Sequence, residues 1–289
     1  MNGFLNILKP PGMTSHDVVA FLRKKLNTKK VGHLGTLDPA AAGVLPVALG
    51  KATRLIEYLE HNDQKQYLAE FIFGFTTTTG DMEGEILKKT DAAFLTKKTI
   101  LEKLQQFSGE IWQMPPLASA VKVAGKPLYH YQRRGEQVEV PRRLVTIYDI
   151  ELLDFLDENT PNPRIRVLIQ CSRGTYIRSI AHDLGEMVST GAALNFLLRT
   201  KSGPFSIENS RLLEEEPKII PVEEAFRDFP RIILDEQQYL RVKNGREVHL
   251  NEKVENAKIY FAYFSGKLVA TGQVKDLTFK PEKVLGKEE

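Results

Sequence analysis

Residues 32–45 read GHLGTLDPAAAGVL, the densest cluster of unusual residues in this chain of 289 residues. Three glycines within twelve residues permit backbone conformations and close backbone contacts that a side chain would block. Pro39 disfavours helical geometry at the residue before it, so the carboxylate of Asp38 is predicted to lie on an extended or turn backbone. A rigid loop that presents Asp38 beside His33 is typical of a displayed reactive group. A turn with a helix-capping aspartate fits the same residues, and this segment alone leaves both interpretations open.

Helical and strand patterns on either side of this loop predict a mixed fold. Thr14 and Asp17 have the spacing of a capping box, which marks the start of a helix. Apolar residues repeat at helical spacing over 17–26 and 175–188, and at strand spacing over 67–75 and 165–171. Hairpin-like connections rather than regular strand–helix–strand repeats favour an α+β fold with a largely antiparallel sheet. The composition shifts near residue 230, and residues 230–289 are predicted to form a small β-rich second domain.

Composition excludes several classes of protein. Lys and Arg total 40 against 37 Asp and Glu, so the net charge of +3 is too small to indicate nucleic-acid binding without local clustering. Cys171 is the only cysteine, which rules out an intramolecular disulfide framework and a cysteine-rich zinc site. Because the sequence has no run of about 18 apolar residues and no secretory signal, the expectation is a cytoplasmic protein without a membrane span.

Common catalytic motifs are also missing from the sequence. Residues 43–53 resemble a phosphate-binding loop, but six residues separate the two glycines and Ala52 follows the lysine, so the NTPase motif is not met. The six histidines show no metal-binding pair at helical spacing, and no Gly-x-Ser-x-Gly elbow of a hydrolase occurs. We therefore predict no metal site and no hydrolase triad.

Residues 121–143 combine positive charge with aromatic side chains. Six cations (Lys122, Lys126, Arg133, Arg134, Arg142 and Arg143) stand against two glutamates, which gives a local net charge of +4. Tyr129, His130 and Tyr131 lie among these cations and offer stacking surfaces for unpaired bases. An RNA-binding segment and an ordinary solvated hairpin both fit this pattern.

Arg173 and Arg178 lie near the predicted start of the helix over 175–188. Cations are unfavourable at a helix N-terminus because the helix dipole is positive there. This placement indicates a partner anion, either a carboxylate or a phosphate.

Residues 32–45 resemble the catalytic motif of the TruB family of tRNA pseudouridine synthases, G-H-x-G-T-L-D-P-x-A-x-G-x-L. Three further blocks agree with the family in the same order. They are a K-P-x-G-x-T-S-x-D block within residues 6–17, a K-x-Y block at 65–67, and a C-S-x-G-T-Y-I-R block at 171–178. Four ordered motifs across about 175 residues are far more specific than any one of them. The resemblance then extends through residues 203–205 and more loosely to the end.

This resemblance implies a pseudouridine synthase fold, with a mixed, mainly antiparallel central sheet and an active-site cleft. It implies a catalytic domain over 1–229, a thumb-like RNA-binding insertion over about 115–143, and a PUA-like C-terminal domain over 230–289. The implied reaction isomerises uridine 55 in the T loop of tRNA to pseudouridine, without cofactor, metal or ATP. We expect a monomer that acts on tRNA without a guide RNA. The alternatives are an enzyme for another RNA and an RNA-binding or folding factor.

The resemblance also implies roles for single residues. Asp38 matches the essential aspartate, Arg178 the arginine that pairs with it, and Tyr67 the tyrosine that stacks on the target base and is a candidate to remove its C5 proton. His33 matches a histidine that assists base flipping, Tyr176 and Leu197 match residues that line the base pocket, and Lys122, Arg133, Arg134, Arg142 and Arg143 fall in the thumb-like insertion. The sequence leaves open whether Asp38 attacks the ribose or removes its 2′ proton.

One departure from the family pattern lies just ahead of Asp81. Many members have T-D-T where this chain has three threonines at 77–79. The loop therefore has one carboxylate fewer, and the resemblance assigns no role to Asp81.

Overall fold

The computed structural model describes residues 1–61, 64–251, 254 and 257–285. Its helices are α1 (Ser15–Lys25), α2 (Ile56–His61), α3 (Lys97–Leu104), α4 (Leu128–Arg134), α5 (Ile177–Met187), α6 (Val222–Ala225) and α7 (Glu236–Val242). None of these described helices has both the length and the apolar character needed to cross a membrane. Its strands are β1 (Gly3–Lys9), β2 (Val31–His33), β3 (Ala42–Leu49), β4 (Lys65–Phe73), β5 (Phe75–Thr77), β6 (Ile86–Lys89), β7 (Gly109–Gln113), β8 (Lys122–Val123), β9 (Lys126–Pro127), β10 (Arg143–Leu156), β11 (Arg164–Cys171), β12 (Ala192–Ser202), β13 (Phe205–Ser206), β14 (Arg231–Ile233), β15 (Val248–His249), β16 (Tyr260–Phe264), β17 (Lys267–Lys275) and β18 (Thr278–Val284).

A nine-stranded sheet lies at the centre of the described structure, and its main path runs in the order β1-β3-β12-β4-β11-β10-β7. At its margins β2 pairs with β3, and β13 pairs with β12. Neighbouring strands run antiparallel except β3 and β12, which are parallel. The predicted α+β fold with a mixed, mainly antiparallel sheet is therefore confirmed.

The elements predicted around the glycine-rich loop are present. At the start of α1 the Thr14 hydroxyl accepts the Asp17 N–H, and the Asp17 carboxylate accepts the Thr14 N–H, so the predicted capping box is confirmed. The predicted strand over 67–75 corresponds to β4, which ends at Phe73. It ends early because Gly74, with φ of +88°, turns the chain into the separate hairpin of β5 and β6.

The largest apolar core lies on one face of the central sheet. Tyr67 and Phe71 alternate along β4 and pack in the same cluster as Ile180 and Leu184 of α5. Burying such side chains stabilises the fold by about 2 kcal/mol each. This packing fixes the first turn of α5, which carries Arg178, against the strand that carries Tyr67.

A second sheet, in the order β14-β16-β17-β18-β15, contains the C-terminal strands, so the predicted β-rich character of this region is confirmed. Phe261 of β16 stacks on Phe226 with ring centroids 4.6 Å apart and meets Tyr58 edge-on at 5.7 Å. The Thr271 hydroxyl also donates to the Tyr58 hydroxyl at 3.0 Å. Side chains from both sheets therefore share one apolar cluster, and the domain division at residue 229 stays a prediction.

Candidate active site

The loop between β2 and β3 presents Asp38, whose side chain is 42% exposed. Ser15 at the start of α1 holds this loop, because its hydroxyl accepts the Leu37 N–H at 2.9 Å and donates to the Leu37 carbonyl at 3.1 Å. Gly35 adopts φ of +63°. A Cβ on Gly43 would lie 2.3 Å from the carbonyl oxygen of Arg199. Two of the three glycines thus have the conformational and steric roles that the sequence predicted.

Arg199 of β12 is a fully buried cation beneath this loop. Its Nε donates to the Val44 carbonyl at 2.8 Å, its Nη2 to the Gly35 carbonyl at 3.1 Å and its Nη1 to the Thr36 carbonyl at 3.4 Å. These carbonyl dipoles replace the water that a buried guanidinium loses. A residue 163 positions away in sequence from Thr36 thereby holds the segment that leads to Asp38.

Lys9 holds the other end of the loop and is also fully buried. Its Nζ donates to the carbonyls of Met13 at 2.6 Å, Pro10 at 2.9 Å and Pro39 at 3.2 Å. Burial lowers the pKa of Lys9 from 10.5 to about 8, and the nearby negative charge of Asp38 opposes that shift. Lys9 is therefore protonated at neutral pH and joins the Pro-rich turn at residues 10–13 to the peptide that follows Asp38.

Arg178 lies in the first turn of α5, and its side chain is only 5% exposed. Its Nη2 lies 2.8 Å from Oδ2 of Asp38, and its Nη1 lies 3.5 Å from Oδ2 of Asp81. The guanidinium also donates to the carbonyls of Thr79 and Ala118, each at 3.0 Å. Two carboxylates therefore offset a cation that the helix dipole disfavours.

Asp81 is the second carboxylate of this ion cluster, with 15% of its side chain exposed. Its Oδ1 accepts the Thr79 hydroxyl at 2.5 Å and the Glu83 N–H at 3.2 Å. The threonine-rich loop that departs from the family pattern thus orients Asp81 towards Arg178. The cluster of Asp38, Arg178 and Asp81 joins three segments that are far apart in the sequence.

Two of the three predicted base-pocket residues lie in the largest apolar core. Tyr67, Leu197 and Leu37 belong to one buried cluster, and Leu37 is the residue immediately before Asp38. Tyr176 caps the start of α5 and is half-buried. Its peptide N–H donates to Oε1 of Gln113 at 2.7 Å, while its carbonyl accepts Nε2 of Gln113 at 3.0 Å. The predicted pocket residues thus lie on β4, on β12 and at the start of α5, which carries Arg178.

His33 lies at the end of β2 and meets His16 edge-on, with ring centroids 5.3 Å apart. Its Nδ1 is buried and has no hydrogen-bond partner among the described residues. Burial lowers the pKa of His33, and the neighbouring His16 and Arg199 act in the same direction. The imidazole is therefore neutral at neutral pH.

The predicted RNA-binding segment is a surface feature built from β8, β9 and α4. Its predicted contact residues Lys122, Arg133, Arg134, Arg142 and Arg143 are all exposed. On α4 the Arg133 guanidinium lies over the Tyr129 ring at 5.5 Å, and Arg134 lies 3.6 Å from Glu136. Gln132 donates to the Thr78 carbonyl at 3.0 Å, so α4 is tied to the loop that orients Asp81.

Sequence reasoning found Asp38 and Arg178 as a pair but missed three charged residues around them. Asp81 had no assigned role, and neither Lys9 nor Arg199 was singled out as a functional residue. The signal available for Lys9 was its place as the lysine of the K-P-x-G-x-T-S-x-D block. Arg199 gives no local signal, because its three acceptors are backbone carbonyls of a distant loop.

Comparison with known proteins gives a consistent result. Residues 23–177 match the family model described as TruB family pseudouridylate synthase, N-terminal domain. The tRNA pseudouridine synthase B of Carboxydothermus hydrogenoformans is 62% identical over 284 residues, which cover 98% of this chain and 98% of that protein. The tRNA pseudouridine synthase B of Symbiobacterium thermophilum is 47% identical over 249 residues, or 85% of this chain and 82% of the relative. A chain in a solved H/ACA RNP bound to a substrate RNA containing 2′-deoxyuridine has a TM-score of 0.71 at 26% identity, covering 98% of this chain and 84% of that chain.

Proposed function

The chain belongs to the TruB family of pseudouridylate synthases, and from that premise we propose that it isomerises uridine 55 in the T loop of tRNA to pseudouridine. The observation that carries this proposal is the ion pair at 2.8 Å between the exposed Asp38 and the buried Arg178. That pair lies beside an apolar cluster that contains Tyr67 and Leu197. A fixed carboxylate beside an apolar surface is what a reaction on a flipped-out uracil requires.

Asp38 is the catalytic residue of this proposal. The reaction breaks the bond between the ribose C1′ and uracil N1, which leaves with the electron pair, turns the base, and forms a bond from C1′ to C5. The C5 proton then leaves and N1 takes up a proton, so that substrate and product are isomers. Asp38 starts the reaction in its ionised form, either by attacking the ribose or by removing the 2′ proton. Arg178 stabilises that negative charge, and Lys9 and Arg199 hold the loop so that the carboxylate does not have to be ordered during the reaction.

Tyr67, Leu197 and Tyr176 form the proposed base pocket. A base must leave the helical stack before it is turned, which costs a few kcal/mol. Stacking on an aromatic ring such as that of Tyr67 returns about 1–3 kcal/mol. In this proposal the neutral His33 fills space near the flipped nucleotide and does not add a positive charge to the pocket.

The proposed RNA interface extends beyond the pocket. Lys122, Arg133, Arg134, Arg142 and Arg143 contact phosphates from the thumb-like insertion over 115–143, and a basic face on one side explains RNA binding at a small net charge. We assign residues 1–229 to the catalytic domain and 230–289 to a PUA-like domain. The proposal describes a cytoplasmic monomer that acts on tRNA without a guide RNA or a cofactor.

Tritium release from tRNA transcribed with C5-labelled uridine tests the reaction directly, because the C5 proton is lost once per isomerisation. We expect one equivalent per tRNA from the wild type and none from Asp38→Asn, a nearly isosteric variant. Changing the T-loop uridine 55 to cytidine should abolish the release.

Binding of the same tRNA, measured by filter retention, is the matched control. Asp38→Asn should retain the affinity of the wild type, since it keeps the shape of the pocket. Tight binding without any release by the wild type would contradict the proposal and favour an RNA-binding factor. Release that survives the change of uridine 55 would place the reaction at another uridine.

A further inference from the structure

An exposed apolar strip lies on the outer face of the sheet edge formed by β7 and β10. Trp112 of β7 is directly opposite Leu144 of β10 in the strand register, and their side chains are 65% and 48% exposed. Met114, two residues after Trp112, is 50% exposed. The alternate residues Ile111 and Gln113 point the other way, into the core and towards Tyr176. The strip is therefore not part of the core that holds the two strands together.

Cations border this strip. Arg142 comes two residues before Leu144 and is exposed. Arg143 is opposite Gln113 in the register and therefore belongs to the other face of the sheet. The exposed Arg173 follows Ser172, which exchanges two hydrogen bonds with the backbone of Thr146, at 2.8 and 2.9 Å. Glu110, opposite Thr146 in the register, is the one acidic side chain of β7. A large aromatic surface among arginines is suited to a nucleotide, whose base stacks and whose phosphate is anionic.

The strip is also close to the candidate active site along the chain. Ala118, whose carbonyl accepts a hydrogen bond from Arg178, is six positions after Trp112. Even a fully extended chain of that length spans only about 20 Å. A nucleotide on Trp112 is therefore within reach of an RNA whose target base is at Asp38.

We propose that the strip formed by Trp112, Leu144 and Met114 is a stacking platform for an unpaired nucleotide of the tRNA substrate, with its phosphates bound by Arg142 and Arg173. This inference rests on the proposed function, because it takes tRNA as the occupant. Charge complementarity favours RNA over a second copy of the chain, whose matching face would carry the same two arginines.

Trp112 is the only tryptophan in the chain, so intrinsic tryptophan fluorescence reports this position alone. Titration of the wild-type protein with a tRNA transcript should quench the emission, with the same midpoint as binding measured by filter retention. Emission that stays constant while tRNA binds would overturn the proposal. A change that follows protein concentration without RNA would also overturn it and would indicate contact between copies.

Three variants separate stacking from general apolar contact. Trp112→Leu keeps an apolar side chain but removes the aromatic face, and we expect about tenfold weaker tRNA binding. Trp112→Phe keeps an aromatic face and should bind within about twofold of the wild type. Tyr148→Leu is the matched control, since Tyr148 is a half-exposed aromatic residue farther along β10, and it should bind as the wild type does.

Equal affinity of Trp112→Leu and Trp112→Phe would overturn the stacking platform. The tritium-release assay of the wild type keeps this result distinct from a failure of the proposed function. If the wild type releases tritium while both Trp112 variants bind tRNA normally, only the platform is wrong. If the wild type releases none, the proposed function itself fails.

Discussion

Two clusters of charged side chains lie near opposite faces of β4 and differ in whether a carboxylate of the cluster is exposed. The Arg178 cluster consists of Arg178, Asp38 and Asp81, beside the face of β4 that carries Tyr67. The Glu70 cluster consists of Glu70, Arg164, Arg166 and Asn195, on the other face of that strand. Each has one buried charge at its centre, a cation in the first and an anion in the second.

The Glu70 cluster is closed around its carboxylate, since the Glu70 side chain is 7% exposed while those of Arg164 and Arg166 are 33% and 48% exposed. Oε1 of Glu70 accepts hydrogen bonds from Arg164 at 2.9 Å and Asn195 at 2.7 Å, and Oε2 accepts one from Arg166 at 3.0 Å. Burial alone would raise the pKa of Glu70, but these hydrogen bonds outweigh it and lower the pKa. Both oxygens of the Glu70 carboxylate are therefore occupied by hydrogen bonds within the protein.

The Arg178 cluster is open on one side. Its buried guanidinium binds Asp81, which is mostly enclosed, and Asp38, which is 42% exposed. The enclosed side chains of Arg178 and Asp81 therefore fix the position of the exposed Asp38 carboxylate. The comparison teaches that a perturbed pKa on a buried group, as at Glu70, does not by itself mark a reactive site. An exposed carboxylate that a buried cation holds in place is the more specific sign.

The largest effect is expected from removing the cation at the centre of the open cluster. Arg178→Met keeps a long side chain but deletes the charge that Asp38 and Asp81 share. We expect the single-turnover rate of tritium release to fall about 10²–10³-fold, as when one preorganised electrostatic partner is removed from an active site. The affinity for tRNA should change by less than about threefold, since Arg178 is buried and does not need to contact RNA.

Arg178→Lys is the conservative control, because it keeps the charge but loses the fork that reaches two carboxylates. Its rate should lie between those of the wild type and Arg178→Met. A thermal melt identifies any variant that is simply unfolded. An unchanged rate in Arg178→Met would refute the catalytic importance of the pair, and a loss of affinity as large as the loss of rate would make Arg178 an RNA contact.

Local signals in the sequence were enough to predict the secondary structure on which these clusters are built. The Thr14 and Asp17 capping box is satisfied within three residues, and the alternation along 67–73 depends only on which face of one strand is buried. The Asp38 and Arg178 pair was also within reach, because each residue belongs to a motif and Arg178 is poorly placed at a helix start without an anion.

The side chains that hold the loop of Asp38 in place could not be predicted from such local signals. Arg199 binds carbonyls more than 150 residues away, and any residue type supplies a carbonyl, so no pattern of side chains records the contact. The role of Asp81 could not be predicted either, because it depends on contacts formed in the fold. The Thr79 hydroxyl and the Glu83 N–H orient its carboxylate towards Arg178. The closed Glu70 cluster was missed because its members lie on three separate strands.

A smaller effect, and one that depends on pH, is expected from Lys9. It holds the loop of the open cluster through three carbonyls, and a neutral amine has only two N–H groups to offer. Since the pKa of Lys9 is lowered to about 8, the protonated form is lost as the pH rises through that value. Tritium release should therefore fall on the alkaline side, to about one tenth of its plateau at one pH unit above the pKa.

Lys9→Arg is the control for this pH dependence. Arginine stays protonated throughout the accessible range, so any activity that the variant retains should show no decline near pH 8. The pH profile separates this role from a merely structural one, which would lower the rate equally at every pH. An identical alkaline decline in both proteins would assign the titration to another group.

The smallest effect on catalysis is expected from the closed cluster. Glu70→Gln removes the negative charge and leaves Arg164 and Arg166 without their shared anion, so the free energy of unfolding in urea should fall by about 2 kcal/mol. The rate of tritium release should stay within about twofold of the wild type, because the cluster lies on the opposite face of β4 from Tyr67. Glu102→Gln, at an exposed position on α3, is the matched control and should change neither quantity.

The pH dependence of this stability difference distinguishes a closed ion cluster from simple packing. The pKa of Glu70 is lowered on folding from its ordinary value of 4.5, so its ionic contribution is present above that value and is lost as the pH falls through the lower folded value. The gap between the wild type and Glu70→Gln should therefore be full at pH 7 and shrink as the protein is acidified below about 4.5. A gap that is constant with pH would mean that shape, rather than charge, makes Glu70 stabilising. A large loss of activity with unchanged stability would show that the closed cluster is coupled to Asp38, and the contrast between the two clusters would then be wrong.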